Sequence, residues 1–388
     1  MKIAFDVSIQ DTPFLTGVER VQRSILRELA SFDRSNEYLL VSRQHVAFDF
    51  PLPENFRPID LSEHRPSYLW RERLIPPLLA QEKVQIYHSP VSAIPILGKA
   101  MKIATVHELP WVERGRGHVT TQHSHRVWLF LNTRYAERII AVSHRTRHNI
   151  LLLYPEAADR VVVIHHGVDP WFRVLSTEID REEFLARHGI PDKPFLFYVG
   201  TFRRKKNLAV LLEAFASLPA ATRRSLSLVL AGIRNTSWPE LESMLSMPEL
   251  KNVVFLPGYL TDEDLVTFYN LSRALVYPSR FEGFGLPPLE AMACGTPVIA
   301  STGGAIPEVV GEAAFLVDPT DPTALRRAIV ELNENEDLRQ ELIKKGLEHV
   351  KKFTWRKTAD AILKLYQELG GASTSAGGGS AAGGSAAG

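Results

Sequence analysis

Two glutamates, Glu282 and Glu290, are separated by seven intervening residues in the stretch SRFEGFGLPPLEAMACGTPVIASTGGAIPE (residues 279–308), around a turn rich in glycine and proline. The run Ala274, Leu275, Val276, Tyr277 just before it has the length and apolarity of a buried strand. Pro287 and Pro288 suit the first turn of a helix, where missing amide hydrogens cost nothing. Glu282 is therefore expected at the C-terminal end of a strand and Glu290 about one turn into the next helix. Both carboxylates then face the crevice beyond the sheet, where open α/β sheets bind ligands. The amides of Gly283, Phe284, Gly285 and Leu286 should point to the same place. Glycine lets backbone approach closely, and free amides at a helix start favour an anion such as a diphosphate. Carboxylates beside a phosphate cradle must hold something else, and hydroxyls are the natural partners. The expected ligand carries a diphosphate together with sugar rings.

A second group of residues points to the same chemistry. After the strand-like run 195–199 come Gly200, Thr201, Phe202, Arg203, Arg204, Lys205, Lys206 and Asn207, then a helix over 208–215. Four cations at a helix start oppose the helix dipole unless an anion is present, so an anion is expected there. His107 and Glu108 follow a strand over 102–106, where a side chain can reach a ligand in a cleft. Gly17 ends a loop, 12–17, ahead of a helix with Val21, Ile25, Leu26 and Leu29 on one face. Other signals read as ordinary structure. Asp262, Glu263 and Asp264 follow Thr261 and precede an apolar helical run, as acids in a first turn do. His118, His123 and His125 have no cysteine nearby and no common zinc spacing, so no metal is expected.

These groups need a scaffold that forms a cleft. With 388 residues the chain exceeds the usual size of one core, so two domains are expected. Strand-like runs at 2–7, 38–41, 86–88, 102–106, 138–142 and 161–164, then at 195–199, 227–231, 253–255, 274–277 and 297–300, alternate with amphipathic helical stretches. That is the pattern of two doubly wound parallel sheets. The turn-rich His165, His166, Gly167, Val168, Asp169 and Pro170 mark a boundary. The expected division is a first domain over 1–170, a second over 171–352, a helix over 353–369 capped by Thr354, and a flexible tail of Gly, Ala, Ser and Thr over 370–388.

The formal charge of +1 argues against nucleic acid as a partner. The single cysteine, Cys294, excludes an internal disulfide, reads as a small buried residue, and agrees with a reducing, cytoplasmic compartment. The start, MKIAFDVSIQ, enters a strand directly and lacks the features of a signal peptide. Two stretches of the first half, 68–79 and 114–138, mix apolar and basic groups. Packing on the sheet is the preferred reading of both, with peripheral contact at the inner face of a membrane as the alternative.

Glu282, seven residues and Glu290, within EGFGLPPLEAMACGTPVIAS, resemble the E-x7-E signature of retaining GT-B glycosyltransferases. The resemblance implies two Rossmann-like domains facing across a cleft and transfer of a hexose, with mannose a first candidate, from a nucleotide diphosphate sugar. The acceptor would be a hydroxyl of a glycan or lipid-linked carrier, and the nucleotide sugar would be a co-substrate with no separate cofactor. By the same resemblance Glu282 contacts the transferred sugar, Glu290 the ribose, and Lys206 the diphosphate. Thr201 stands where relatives carry an arginine, so Arg203, Arg204 or Lys205 would substitute for it. His107 would approach the reacting carbon, with Glu108 replacing a frequent aspartate. Gly17 would face the donor from the first domain, and Gly304, in a turn with Gly303, Pro307 and Glu308, would lie beside it. Two rivals share the architecture: a nucleotide-sugar epimerase or phosphorylase, and a sugar-nucleotide-binding protein without turnover. No G-x-G-x-x-G follows the first strand, which argues against a nicotinamide oxidoreductase.

Overall fold

A computed structural model describes residues 1–8, 17–43, 45–62, 70–113, 122–176, 179–233 and 238–376. The first domain is built on β1 (Lys2–Asp6), β2 (Glu37–Ser42), β3 (Phe56–Asp60), β4 (Ile86–Ser89), β5 (Met101–Val106), β6 (Arg138–Ala141) and β7 (Val161–Val163), in the order β3-β2-β1-β4-β5-β6-β7. The second has β8 (Phe195–Val199), β9 (Ser227–Ala231), β10 (Val254–Gly258), β11 (Ala274–Tyr277), β12 (Val298–Ser301) and β13 (Phe315–Val317), in the order β10-β9-β8-β11-β12-β13. Strand pairing among the described residues is parallel throughout, as in β8 with β9 and β11. Helices cover both faces, so central strands are buried on both sides and read as continuous apolar runs: FLFYV in β8, SLVLA in β9, ALVY in β11.

Two strands have no such run. β3, FRPID, sits at a sheet edge with exposed Arg57 and Pro58, a position where a missing amide hydrogen is tolerated. β13 has three residues and closes the other sheet. The last helix, Trp355–Ala376, buries Trp355, Ala359, Ile362, Leu365, Tyr366 and Leu369 in the core beside β1 and the helix Gly17–Phe32, so it belongs to the first domain's packing. The tyrosine hydroxyl of Tyr366 lies 2.6 Å from His88 Nδ1 at the bottom of that core.

The expected tail needs correction at its start, because this helix runs through Gly370 and Gly371 to Ala376. A Cβ on Gly370 would lie 2.3 Å from the Met1 sulfur, so the glycine permits a close approach there rather than ending the helix. Residues 377–388 lie outside the described residues. The chain crosses between the domains twice, side by side. Val168 bridges Thr354, the Val168 amide donates to Phe353 O (3.1 Å), and a Cβ on Gly167 would fall 2.1 Å from Trp355 N.

Candidate functional site

The strand order of the second sheet reverses at β8, which pairs with β9 on one side and β11 on the other. Loops leaving β8 and β11 therefore diverge and open a crevice at the C-terminal ends of the strands. The basic turn follows β8 and the Glu282 loop follows β11, so topology brings together residues more than seventy positions apart. Asn207 stitches the two turns. Its Nδ2 donates to Pro278 O (3.0 Å) and Pro319 O (2.6 Å), and its Oδ1 accepts from Arg280 Nε (2.9 Å). It is buried in the left-handed region at φ 62°, which asparagine tolerates better than most residues. The Arg280 amide adds a bond to Lys205 O at 2.8 Å. Asn207→Ala should lower stability by about 2–4 kcal/mol, from three lost side-chain bonds and an unfavourable φ, measured by denaturant unfolding. Asn207→Gly, free of the φ penalty, should lose less.

Three of the four cations in the basic turn have carboxylate partners. Lys206 Nζ lies 2.6 Å from Glu282 Oε1 and donates to the Tyr277 hydroxyl at 2.8 Å. Lys205 reaches across to the first domain, 2.7 and 2.8 Å from the two oxygens of Glu108, and 3.7 Å from Glu282. Arg204 turns outward to Glu240 (2.9 Å), and Arg203 is exposed at the cleft lining. Burial alone would push the Glu282 carboxyl up, but Lys206 and Lys205 outweigh it and hold it down at about 2. The same ion pair keeps Lys206 charged against its own burial. Glu282 Oε1 is buried and meets the Lys206 ammonium as an ion pair.

The opposite wall comes from the first domain. His107 lowers its proton affinity by burial, opposed by its bond to Pro90, and its Nε2 lies 2.8 Å from Pro90 O. A carbonyl can only accept, so the proton is on Nε2 and Nδ1 is left as an acceptor. The His107 backbone packs against Gly283 so closely that a Cβ on that glycine would lie 1.7 Å from His107 O. Ser143, the N-cap of the helix His144–Leu153, donates to Gly283 O at 2.7 Å. Gly17 lines the cleft with nothing within 4 Å of a built Cβ, leaving room above it.

Other expected residues are placed differently. Phe284 lines the cleft, but its ring joins the seam between domains, 5.0 Å from His166 and 6.0 Å from Phe353. Gly285 is left-handed at φ 105° and precedes the helix Leu286–Ala293, so both it and Leu286 line the cleft at a helix start. Gly304 is not among the lining residues and lies beneath Glu282, where a Cβ would come 2.3 Å from the Glu282 carbonyl oxygen. Its role is to support that loop. Glu308 accepts from the His144 and Arg145 amides (2.8 and 3.1 Å) and contacts His165 Nε2 at 2.7 Å. His144, His165 and Glu308 could together offer metal ligands. Both carboxylate oxygens are spent on a helix N-terminus, which disfavours a cation, so the group is a cap joining the domains.

The acids at 262–264 do form a helix's first turn, with the Asp264 amide donating to Thr261 Oγ1 at 3.1 Å. His118, His123 and His125 lie outside the residues whose side chains are described. Cys294 is buried, and burial pushes its thiol up to about 12. Among the site and seam residues, sequence reading gave Arg20 and Ser143 no role and named Asn207, His166 and Glu308 only as members of turns, without their partners. Each acts across a boundary between distant segments and carries no local spacing signal.

Glu290 is buried, with Oε2 accepting from the Tyr269 hydroxyl at 2.8 Å. Burial pushes its carboxyl up to about 7; Arg20 and Tyr269 oppose the shift, while Asp169 and Asp262 add to it. A raised acid contributes stability that is present below its unfolded value of 4.5 and is lost as pH rises through about 7. Glu290→Gln should therefore be the more heat-stable protein at pH 8. A hydroxyl donates more strongly to the carboxylate than to the neutral acid, so a ligand held here through a hydroxyl should bind more tightly, by up to about tenfold, at roughly pH 8 than at pH 6. Calorimetric titration across that range should show the dependence vanish in Glu290→Gln.

A pair of doubly wound parallel sheets facing across such a cleft, with a last helix returning to the first domain, is the architecture of GT-B glycosyltransferases. Residues 180–349 match the family Glycosyl transferases group 1, and residues 15–172 match Glycosyltransferase Family 4. Each match covers less than half of the chain, and together they place a glycosyltransferase domain on either side of the cleft. It is 29% identical to the O-antigen chain mannosyltransferase B of Escherichia coli over 95% of this chain and 100% of that one. Among solved structures it resembles sucrose-phosphate synthase from Thermosynechococcus elongatus (TM-score 0.76, 22% identity, 96% of this chain and 99% of that one). It also resembles Anabaena HepE in complex with UDP-glucose (TM-score 0.75, 18% identity, 95% and 100%).

Proposed function

We propose that this glycosyltransferase moves a hexose, mannose in the first instance, from a nucleotide diphosphate sugar to a hydroxyl of a glycan or lipid-linked acceptor, with retained anomeric configuration. The observation that carries this reading is the buried Glu282–Lys206 pair at the start of the helix Leu286–Ala293. It offers an acceptor oxygen for a sugar hydroxyl beside cations and amides suited to a diphosphate. The relative named for mannosyl transfer supports the sugar, and the neighbour holding UDP-glucose supports a nucleotide donor.

In the reaction the bond from the anomeric carbon to the donor phosphate oxygen breaks, and the acceptor oxygen bonds to that carbon on the same face. The acceptor proton passes to the leaving phosphate. Lys206, Arg203 and the helix start stabilise the charge on that phosphate, so no metal is required. Glu108 and Glu282 both sit on Lys205, and carboxylates clasped by ammonium groups are poor nucleophiles, which favours front-face attack over a covalent intermediate.

No helix among the described residues is long and apolar enough to cross a membrane. The helix Trp70–Gln81 buries Trp70, Ile75 and Leu79 in its own domain, which leaves that stretch little for a lipid surface. On the helix Gln122–Tyr135, Val127 (55%) and Phe130 (52%) are exposed beside Arg126 and Arg134, a face suited to peripheral contact on the cytoplasmic side. Loss of binding to anionic vesicles in Phe130→Glu tests that contact. The test of the function itself is incubation with GDP-mannose and other nucleotide sugars plus lipid-linked glycan acceptors, with product analysis by NMR. An α-linked product from an α-linked donor is expected. An inverted linkage, or nucleotide release without any product, would overturn the reading.

A further inference from the structure

The helix Gly17–Phe32 belongs to the first domain, yet its Arg20 lines the cleft and engages the second domain, with Nη2 2.6 Å from Asp262 Oδ1. The side chain is 13% exposed, and Nη1 is buried with no hydrogen-bond partner among the described residues. A buried donor lacking an acceptor is unfavourable, and at a cleft wall it marks a place for a ligand atom. Glu290 lines the same cleft, with Oε2 taken by Tyr269. Burial works against the Arg20 charge, and Glu290, Asp262 and Asp169 around it outweigh that effect. A guanidinium so well balanced by acids is not a free phosphate anchor. Arg203, exposed at the cleft lining and with no carboxylate partner among the described residues, is the better phosphate contact.

We propose that Arg20 completes the donor's ribose site from across the cleft: Glu290 accepts from the ribose hydroxyls while Arg20 Nη1 donates to one of them. This rests on reading Glu290 as the ribose acid. Each hydroxyl of a diol both donates and accepts, so a carboxylate alone satisfies its hydrogens and leaves the oxygen lone pairs unused. A carboxylate facing a guanidinium serves both. The first domain then takes part in recognising the nucleotide, and the ribose is fully held only when the two domains meet.

The test compares GDP and UDP with their 2′-deoxy and 3′-deoxy forms, by thermal shift and by competition with donor, on the full chain. The wild type should prefer a ribonucleotide by about tenfold or more over at least one deoxy form. Arg20→Gln should lose most of that preference by weakening the ribonucleotide while leaving the deoxy form unchanged. Arg20→Lys should restore part of it, and Asp262→Asn should keep it. Melting without nucleotide checks that each variant folds, and Arg20→Met provides a second truncation should Arg20→Gln fold poorly. If Glu290→Gln abolishes the preference and Arg20→Gln retains it, the proposal fails and the Glu290 reading stands. Equal loss in Asp262→Asn would make Arg20 a mere strut and also overturn it. Absence of any ribonucleotide preference in the wild type would overturn both.

Discussion

Glu282→Ala should lose sugar transfer by about 10²–10³-fold while remaining folded, the scale seen when one preorganised electrostatic partner is removed from a reacting centre. The carboxylate is held ionised between Lys206 and Lys205, and it is the group proposed to meet the transferred sugar. Removing it leaves Lys205 on Glu108 but strands Lys206 with only the neutral Tyr277 hydroxyl, so stability should fall too and activity is compared on protein shown to be folded. Lys206→Met is the informative contrast. It strands a buried carboxylate, and loss of one partner of a buried pair costs about 3–5 kcal/mol. Lys205 at 3.7 Å offsets part of that. The pH dependence follows from the sign of the shift. A depressed acid contributes stability present above 4.5 and lost as pH falls through about 2, so the stability gap between wild type and the lysine variant should be full above 4.5 and narrow on acidification. Wild-type turnover by folded Glu282→Ala would remove the site assignment.

Gly283→Ala should lower kcat by about 100-fold and also weaken nucleotide binding, because the Arg20 donor proposed for the ribose comes from the first domain. A misplaced reacting geometry of about 1 Å is enough for a loss of that size. The built Cβ overlaps the His107 carbonyl at 1.7 Å, and the obstructing atom is backbone, which no rotamer can move aside. The clash lies between domains, so either domain can fold while their apposition is blocked, and the Ser143 bond to Gly283 O is lost with it. Small-angle scattering should show a more open molecule in the variant. Gly17→Ala supplies the control, since its Cβ meets nothing within 4 Å and should leave closure intact. A compact Gly283→Ala protein with unchanged kcat would show that this contact does not set the working geometry.

The legible parts of this protein were those with a local physical signature. Buried parallel strands announced themselves as apolar runs, as in β8 and β11, and the edge strand β3 did not, because half of its residues face water. The two glutamates were legible because proline and glycine mark the strand-turn-helix that carries them. Glu108 was visible as a polar group at a strand end, but its grip on Lys205 was not, since nothing within either segment reports the other. Gly304 was read as a neighbour of the ligand and proved to lie under the loop that bears Glu282.

By itself the chain's order of residues determined the fold class, the two sheets and the identity of the acids and cations at the ends of β8 and β11, because hydrophobic period, turn chemistry and capping all act within a few residues. Tertiary structure alone decided which charge meets which. Burial and cross-domain distance select Lys206 for Glu282, Lys205 for Glu108 and Arg20 for Asp262. Coulomb energy depends on separation and solvent exclusion in three dimensions, and neither quantity is written in local spacing.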